Sequence, residues 1–222
     1  MRAVDFFCGA GGLTRGLLDA GIKVVVGIDS DEQCRRTYES NNEGVQFLRK
    51  DIREVTLPEL KRLAGVESFD EVLFAGCAPC SPFSQKRTAP EPSNDLTLLM
   101  EFGKIVARAK PGYVLIENVP QMANVPGYST FRRFVRLLEK HGYQNRIAVD
   151  VLDAKRFGVP QTRRRLVLLP PEKELHLCRS QSTELRIDHS KQFGKQSLGS
   201  RYYVLVISTR ELRITSLRRS LR

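Results

Sequence analysis

The sequence predicts an α/β fold, an open and mostly parallel sheet with helices on both faces, and three observations predict it. Short apolar runs alternate with segments of helical period from the N-terminus to residue 170. A glycine cluster, Gly9-Ala10-Gly11-Gly12, stands where the first apolar run turns into the first helical segment. The chain has 222 residues, 41% apolar and 27% charged, enough for one globular domain and a little more.

The elements follow in order. Ala3 to Phe7 reads as a strand and Leu13 to Ala20 as the helix after the glycines; Lys23 to Ile28 is a second strand and Asp31 to Asn41 a second helix. A third strand precedes Asp51-Ile52. Glu71 to Ala75 and Tyr113 to Val119 are buried strands flanking a helix over Asp95 to Ala109, where Leu96, Leu99, Phe102, Val106 and Ala109 keep helical spacing. Ser129 to His141 is amphipathic, Arg146 to Leu152 is a strand, and Leu166 to Leu169 is a short one that Pro170-Pro171 stops. In such sheets ligands gather at the strand C-termini. The composition shifts at 170/171, dividing a domain over 1–170 from a tail over 171–222 in which only Tyr202 to Ile207 reads as a strand; Leu212 to Arg222 has the makeup of a short basic helix.

Charge and cysteine content narrow the function classes. The formal charge is +11, with 36 Lys and Arg against 25 Asp and Glu, and the tail is the more basic part, with 11 against 5. A polyanionic partner such as nucleic acid suits this balance. Wholesale disorder is excluded, and no apolar run approaches the roughly 18 residues of a membrane helix. No secretory signal opens the chain, and the five scattered cysteines (Cys8, Cys34, Cys77, Cys80, Cys178) are no disulfide framework. The expectation is a soluble protein of a reducing, cytoplasmic interior.

Two loops carry the candidate chemistry. In Asp5-Phe6-Phe7-Cys8-Gly9-Ala10-Gly11-Gly12 the glycines allow a ligand to approach the backbone, yet the spacing is neither a Walker loop nor G-x-G-x-x-G. Asp29, twenty residues past Gly9, has the position of a carboxylate that takes ribose hydroxyls, and Asp51-Ile52 can hold an adenine. Equally, the glycines can form a plain tight turn and Asp29 a helix cap. The second loop, Cys77-Ala78-Pro79-Cys80-Ser81-Pro82-Phe83-Ser84, follows the strand over Glu71 to Ala75. A redox pair, half a zinc site and two buried thiols are all open readings, but zinc lacks a second half because His141, His176 and His189 are not at ligand spacing. No metal is expected. The prolines flanking Cys80-Ser81 hold an extended loop that can present one thiol as a nucleophile. Glu117, closing the apolar run Tyr113 to Ile116, offers the carboxyl partner such a thiol needs at the same sheet edge, or else a plain strand-end glutamate.

Taken together, these segments resemble the C5-cytosine DNA methyltransferase family. The match runs in order through Asp5 to Gly12, Gly27-Ile28-Asp29, Lys50-Asp51-Ile52, Gly76 to Gln85, Glu117-Asn118-Val119 and Phe157-Gly158-Val159-Pro160-Gln161-Thr162-Arg163-Arg164-Arg165. The resemblance implies a Rossmann-like methyltransferase sheet, Cys80 as nucleophile, Glu117 as the group binding and protonating the cytosine edge, and Arg163 and Arg165 as further catalytic residues. Pro79, Ser84, Asn118 and Gln161 would line the target pocket. It also implies S-adenosylmethionine as cofactor, its methionine part on Phe7 and the Gly9, Ala10, Gly11, Gly12 backbone, its ribose on Asp29, its adenine near Ser30, Asp51 and Ile52, with Leu98 closing one side.

The implied chemistry explains the residue types. Thiolate addition at C6 makes C5 of cytosine nucleophilic enough to take a methyl group, Glu117 steadies the adduct at N3, and a base then removes the C5 proton as Cys80 leaves. The target must be flipped from double-stranded DNA, and Arg163 and Arg165 suit the cytosine O2 and nearby phosphate. Restriction-modification enzymes are the expected setting; RNA cytosine methylation is the neighbouring alternative. Family members continue into a recognition domain and a closing helix, neither of which matches residues 171–222. A truncated or atypical tail, a chain inactive by itself, and a complementing polypeptide are therefore expectations too.

Overall fold

The computed structural model of the chain describes residues 1–79, 95–124, 130–144, 148–157 and 160–169. Seven strands form one sheet in the order β3-β2-β1-β4-β5-β7-β6. They are β1 (Arg2–Phe6), β2 (Lys23–Asp29), β3 (Gln46–Arg49), β4 (Val72–Gly76), β5 (Tyr113–Asn118), β6 (Ala148–Asp153) and β7 (Arg164–Leu169). Strands β1 to β5 pair in parallel, whereas β7 runs antiparallel to both β5 and β6. The mostly parallel α/β expectation holds. Because β7 is reversed, the start of β7 meets the C-terminal ends of the parallel strands: Leu166 pairs with Asn118.

The alternation of side chains in β1 explains the two cores. Val4 and Phe6 face a cluster with α4 (Asp95–Ala109) and α6 (Thr130–Leu138), in which the Phe6 ring centroid lies 5.2 Å from those of both Phe74 and Phe102. Phe102, Val106 and Leu99 of α4 are buried there with Phe131, Phe134 and Leu138 of α6, each helix turning one apolar face to the sheet. On the other face Ala3 joins Leu17 of α1 (Gly12–Asp19) and Tyr38 of α2 (Arg35–Asn41), together with Phe47, Leu73 and Leu115. That cluster also contains a carboxyl, since Asp5 is fully buried between these helices.

Four elements differ from the sequence expectation. The helix expected over 31–41 begins as a 3-10 turn over Glu32–Cys34, capped by the Asp31 carboxylate, which accepts from the Gln33 N–H at 2.9 Å. The helix expected to reach His141 ends at Leu138, where the chain passes into a looser turn with Gly142 at φ 101°. Helix α3 (Leu57–Ala64) is additional, opening with proline in its first turn and closing on Gly65 at φ 62°. A short helix α5 (Gln121–Asn124) follows β5. The strand expected over 202–207 and the basic segment over 212–222 lie outside the described residues. Among the described residues no helix is long and apolar enough to cross a membrane.

Candidate active site

Every described segment singled out in the sequence ends at one edge of this sheet. After β1 the backbone bends sharply, with Phe7, Gly9 and Gly11 at φ 58°, 51° and 86°. Gly11 could be nothing else: a Cβ there would lie 2.0 Å from Asn42 Nδ2, and that amide donates to the Gly11 carbonyl at 3.3 Å. The loop is also tied to β2, as Cys8 N–H donates to the Ile28 carbonyl at 3.1 Å and Gly9 N–H to Asp29 Oδ2 at 2.8 Å. Asp29 Oδ1 accepts from Asp31 N–H at 2.9 Å. Each oxygen keeps a second acceptor direction.

Beneath the glycine bend lies a buried polar chain. The Thr14 hydroxyl donates to Asp5 Oδ2 at 2.6 Å and lies 3.0 Å from the Tyr38 hydroxyl, while Asp5 Oδ1 and Asn42 Oδ1 are buried with no hydrogen-bond partner. Burial pushes the Asp5 carboxyl up to about 7 against the opposing pull of Thr14. Gly27 makes room for Tyr38, whose hydroxyl oxygen would sit 2.2 Å from a Cβ at that position. Cys8, also buried here, has its thiol pushed well up by desolvation and nearby carboxylates, which disfavours the thiolate.

A cavity of about 170 Å³ opens beside this bend, lined among others by Phe7, Asp29, Ser30, Asp51, Ile52, Cys77, Pro79 and Leu98. It shares Ser30, Lys50 and Asp51 with a neighbouring recess of about 400 Å³ that Arg49 and Glu54 help to line. Apolar walls with carboxylates at the rim are what a nucleoside requires: surfaces against the rings and acceptors for hydroxyl and amino groups. Six of the sequence-assigned cofactor residues, Phe7, Asp29, Ser30, Asp51, Ile52 and Leu98, thus share one wall system. Gly9, Ala10, Gly11 and Gly12 are not in that lining; Gly9 meets it indirectly, through Asp29. Lys50 and Arg53 also line it and were not singled out, though Lys50 stands in the quoted motif; its ammonium is held by Glu59 at 2.8 Å.

At the end of β5, Glu117 is 6% exposed and has both carboxylate oxygens engaged. Arg165 Nε lies 2.7 Å from Oε1, and the Cys77 thiol donates to Oε2 at 2.8 Å. The reversal of β7 accounts for the arginine, since Leu166 beside it pairs with Asn118. Asn118 is buried, its amide donating to the Ala78 carbonyl at 3.0 Å and accepting from Val119 N–H at 2.8 Å, so its side chain serves the loop backbone. Arg163 is half-buried and its carbonyl accepts from Ala154 N–H at 2.9 Å, whereas Gln161 is exposed. Cys80 and Ser84 lie outside the described residues. Among the described residues there is no cluster of His, Cys, Asp and Glu that could hold a metal ion. Sequence reasoning passed over Cys77 except as half of a pair; its signal was position, one residue past the strand.

The family model for C-5 cytosine-specific DNA methylase matches residues 1–211. The Type II methylase M.HgiDII of Herpetosiphon aurantiacus is 37% identical over 165 residues, 74% of this chain and 45% of that protein. The Type II methyltransferase M.XorII of Xanthomonas oryzae pv. oryzae is 32% identical over 176 residues, 78% of this chain and 41% of the relative. The chain therefore spans less than half the length of these two relatives. Among solved structures, S. pombe Dnmt2 methyltransferase superposes with a TM-score of 0.54 at 21% identity, covering 76% of this chain and 48% of that one, a likeness of fold. With nearly its whole length matched by one model, and a glycine bend, cavity and clamped glutamate at a single sheet edge, the chain belongs to the C-5 cytosine-specific DNA methylase family.

Proposed function

We propose that this chain carries the catalytic half of a DNA cytosine-5 methyltransferase of restriction-modification type, acting on a cytosine flipped out of duplex DNA. The observation that carries the reading is the state of Glu117, a nearly buried carboxylate fixed at Oε1 by Arg165 and at Oε2 by Cys77. A carboxylate held so firmly is preorganised to accept hydrogen bonds from a pyrimidine edge and to hold a proton at N3. Asn118, by gripping Ala78, steadies the run that leads into Cys80.

In this reading Cys80 adds as thiolate to C6 while Glu117 delivers a proton to N3 and holds it there, which neutralises the charge entering the ring; Arg163 and Arg165 balance what remains near O2, and once C5 has taken the methyl group a base removes the C5 proton as Cys80 leaves as thiolate. Pro79, Ser84, Asn118 and Gln161 border the target pocket. The cavity's residues fit S-adenosylmethionine: Asp29 would hold the ribose hydroxyls, Ser30, Asp51 and Ile52 the adenine, Leu98 and Phe7 the flanks, and the Gly9 to Gly12 backbone the amino-acid end. When bound, that cofactor supplies the electrophilic methyl group that C5 receives. Since the chain spans under half of its two named relatives, target recognition by a further segment or a complementing polypeptide is part of the proposal. The action is placed in the cytoplasm, on nucleoid DNA if the cell is bacterial.

The test is transfer of a labelled methyl group from S-adenosylmethionine to duplex DNA of mixed cytosine contexts. Transfer is expected to vanish in Cys80→Ser, and label that survives this substitution refutes the mechanism. Competition by tRNA that abolishes the DNA signal would redirect the reading to RNA.

A further inference from the structure

We propose that Cys77 is a positioning residue: its thiol sets the Glu117 carboxyl and registers the loop leading to the nucleophile against the end of β5. The inference rests on the role given to Glu117 above, and its grounds are geometric. The parallel ladder of β4 and β5 ends with Gly76 opposite Ile116. Beyond that point side chains continue the register. Cys77 donates to Glu117 at 2.8 Å and Asn118 donates to Ala78 at 3.0 Å, so two successive loop residues are bonded to two successive residues of β5.

A thiol is a weak donor to a neutral acceptor but a better one to a carboxylate. Arg165 occupies Oε1 at 2.7 Å, so rotation of the carboxyl is opposed from both ends. Oε2 keeps one more acceptor direction for a pyrimidine donor, which means Cys77 need not leave when the base arrives. Cys77 also lines the cavity beside Phe7 and Leu98, and so stands between the cofactor residues and the base-binding carboxyl. Only two residues separate it from Cys80 in the sequence.

Two measurements on the full chain test this. In methyl transfer to duplex DNA, Cys77→Ala is expected to lower kcat about tenfold, the worth of one charge-assisted hydrogen bond, a larger change than any in the KM for S-adenosylmethionine; Cys77→Ser, which keeps a donor, recovers kcat to within about twofold of wild type. Equal activity of Cys77→Ala and wild type, or equal loss in both variants, overturns the proposal. Independently of activity, alkylation by iodoacetamide mapped by mass spectrometry reads the contact itself. Glu117→Gln is expected to speed labelling of Cys77 several-fold while Cys34 and Cys8 are unchanged, those two reporting an intact fold. Unaltered Cys77 labelling overturns the proposal. Wild-type chain that shows the labelling response, yet transfers no methyl group even when a recognition segment from a relative is supplied, counts against the methyltransferase reading and supports the Cys77–Glu117 coupling.

Discussion

Replacing Asp5 by asparagine removes a charge from the middle of the sheet without changing its shape, and the consequence depends on pH in a way that can be worked out. Asp5 of β1 is fully buried beneath α1 and α2, accepts from the Thr14 hydroxyl and has Oδ1 without a hydrogen-bond partner. Desolvation pushes it from 3.8 up to about 7, opposed by Thr14 and reinforced by the charge of Asp29; Cys8 and Tyr38 are the other titratable groups against it. Between these two values the unfolded chain has lost the proton and the folded chain retains it. Folding there takes up a proton, so stability falls as pH rises, by about 1.4 kcal/mol per unit, and levels off above the folded value. Over pH 5 to 8 the loss amounts to about 2–3 kcal/mol. The substituted side chain has no proton to lose, and its buried amide adds a constant offset of about 1–2 kcal/mol. Urea unfolding of both proteins at pH 5, 6, 7 and 8, followed by circular dichroism, isolates this contribution because all other titrations cancel in the difference. The Asp5→Asn variant should gain about 2–3 kcal/mol on wild type between the extremes. Parallel curves would refute the reasoning.

Other perturbations bear on the same edge of the sheet. Gly27→Ala drives a Cβ into the Tyr38 ring, whose hydroxyl has no space to retreat, and should cost about 3 kcal/mol in urea unfolding. Asp29→Ala removes the acceptor of the Gly9 and Asp31 N–H groups; S-adenosylmethionine binding followed by calorimetry should weaken at least about tenfold, and unchanged affinity would remove Asp29 from the cofactor site. Arg165→Lys keeps the charge but not the planar fork beside Glu117, and methyl transfer should fall by about tenfold or more at unchanged cofactor affinity.

Much of the architecture was legible because its signals are local. The period of α4 is written in Leu99, Phe102 and Val106, and the helix spans Asp95–Ala109 as expected. Helix α3 has the terminal signals, with Pro58 in its first turn and Gly65 after its end, but its apolar stripe is short and set among charged neighbours, which leaves the period weak. The end of α6 was legible in part, since the apolar spacing of Phe131, Phe134 and Leu138 stops at Leu138 and Glu139-Lys140-His141 are polar, while Gly142 turns the backbone away. At the site, Asp29, Asp51, Ile52 and Leu98 were found by their position after strands or by family resemblance, and they line one cavity.

By itself the sequence determined the alternation of strands and helices, the glycine bend, the acidic residues that close strands, and a family resemblance later matched over residues 1–211. What needed three dimensions was pairing between residues far apart in the chain. Nothing in the residues near Arg165 announces that β7 is reversed, yet the reversal brings that guanidinium to Glu117. Nor does Cys77-x-x-Cys80 show that the first thiol binds a carboxylate forty residues away, or Asp5 that it lies wholly buried beneath two helices. Periodicity reports which side of an element is apolar; which neighbour that side meets is decided by strand order and direction, and these are properties of the packed chain.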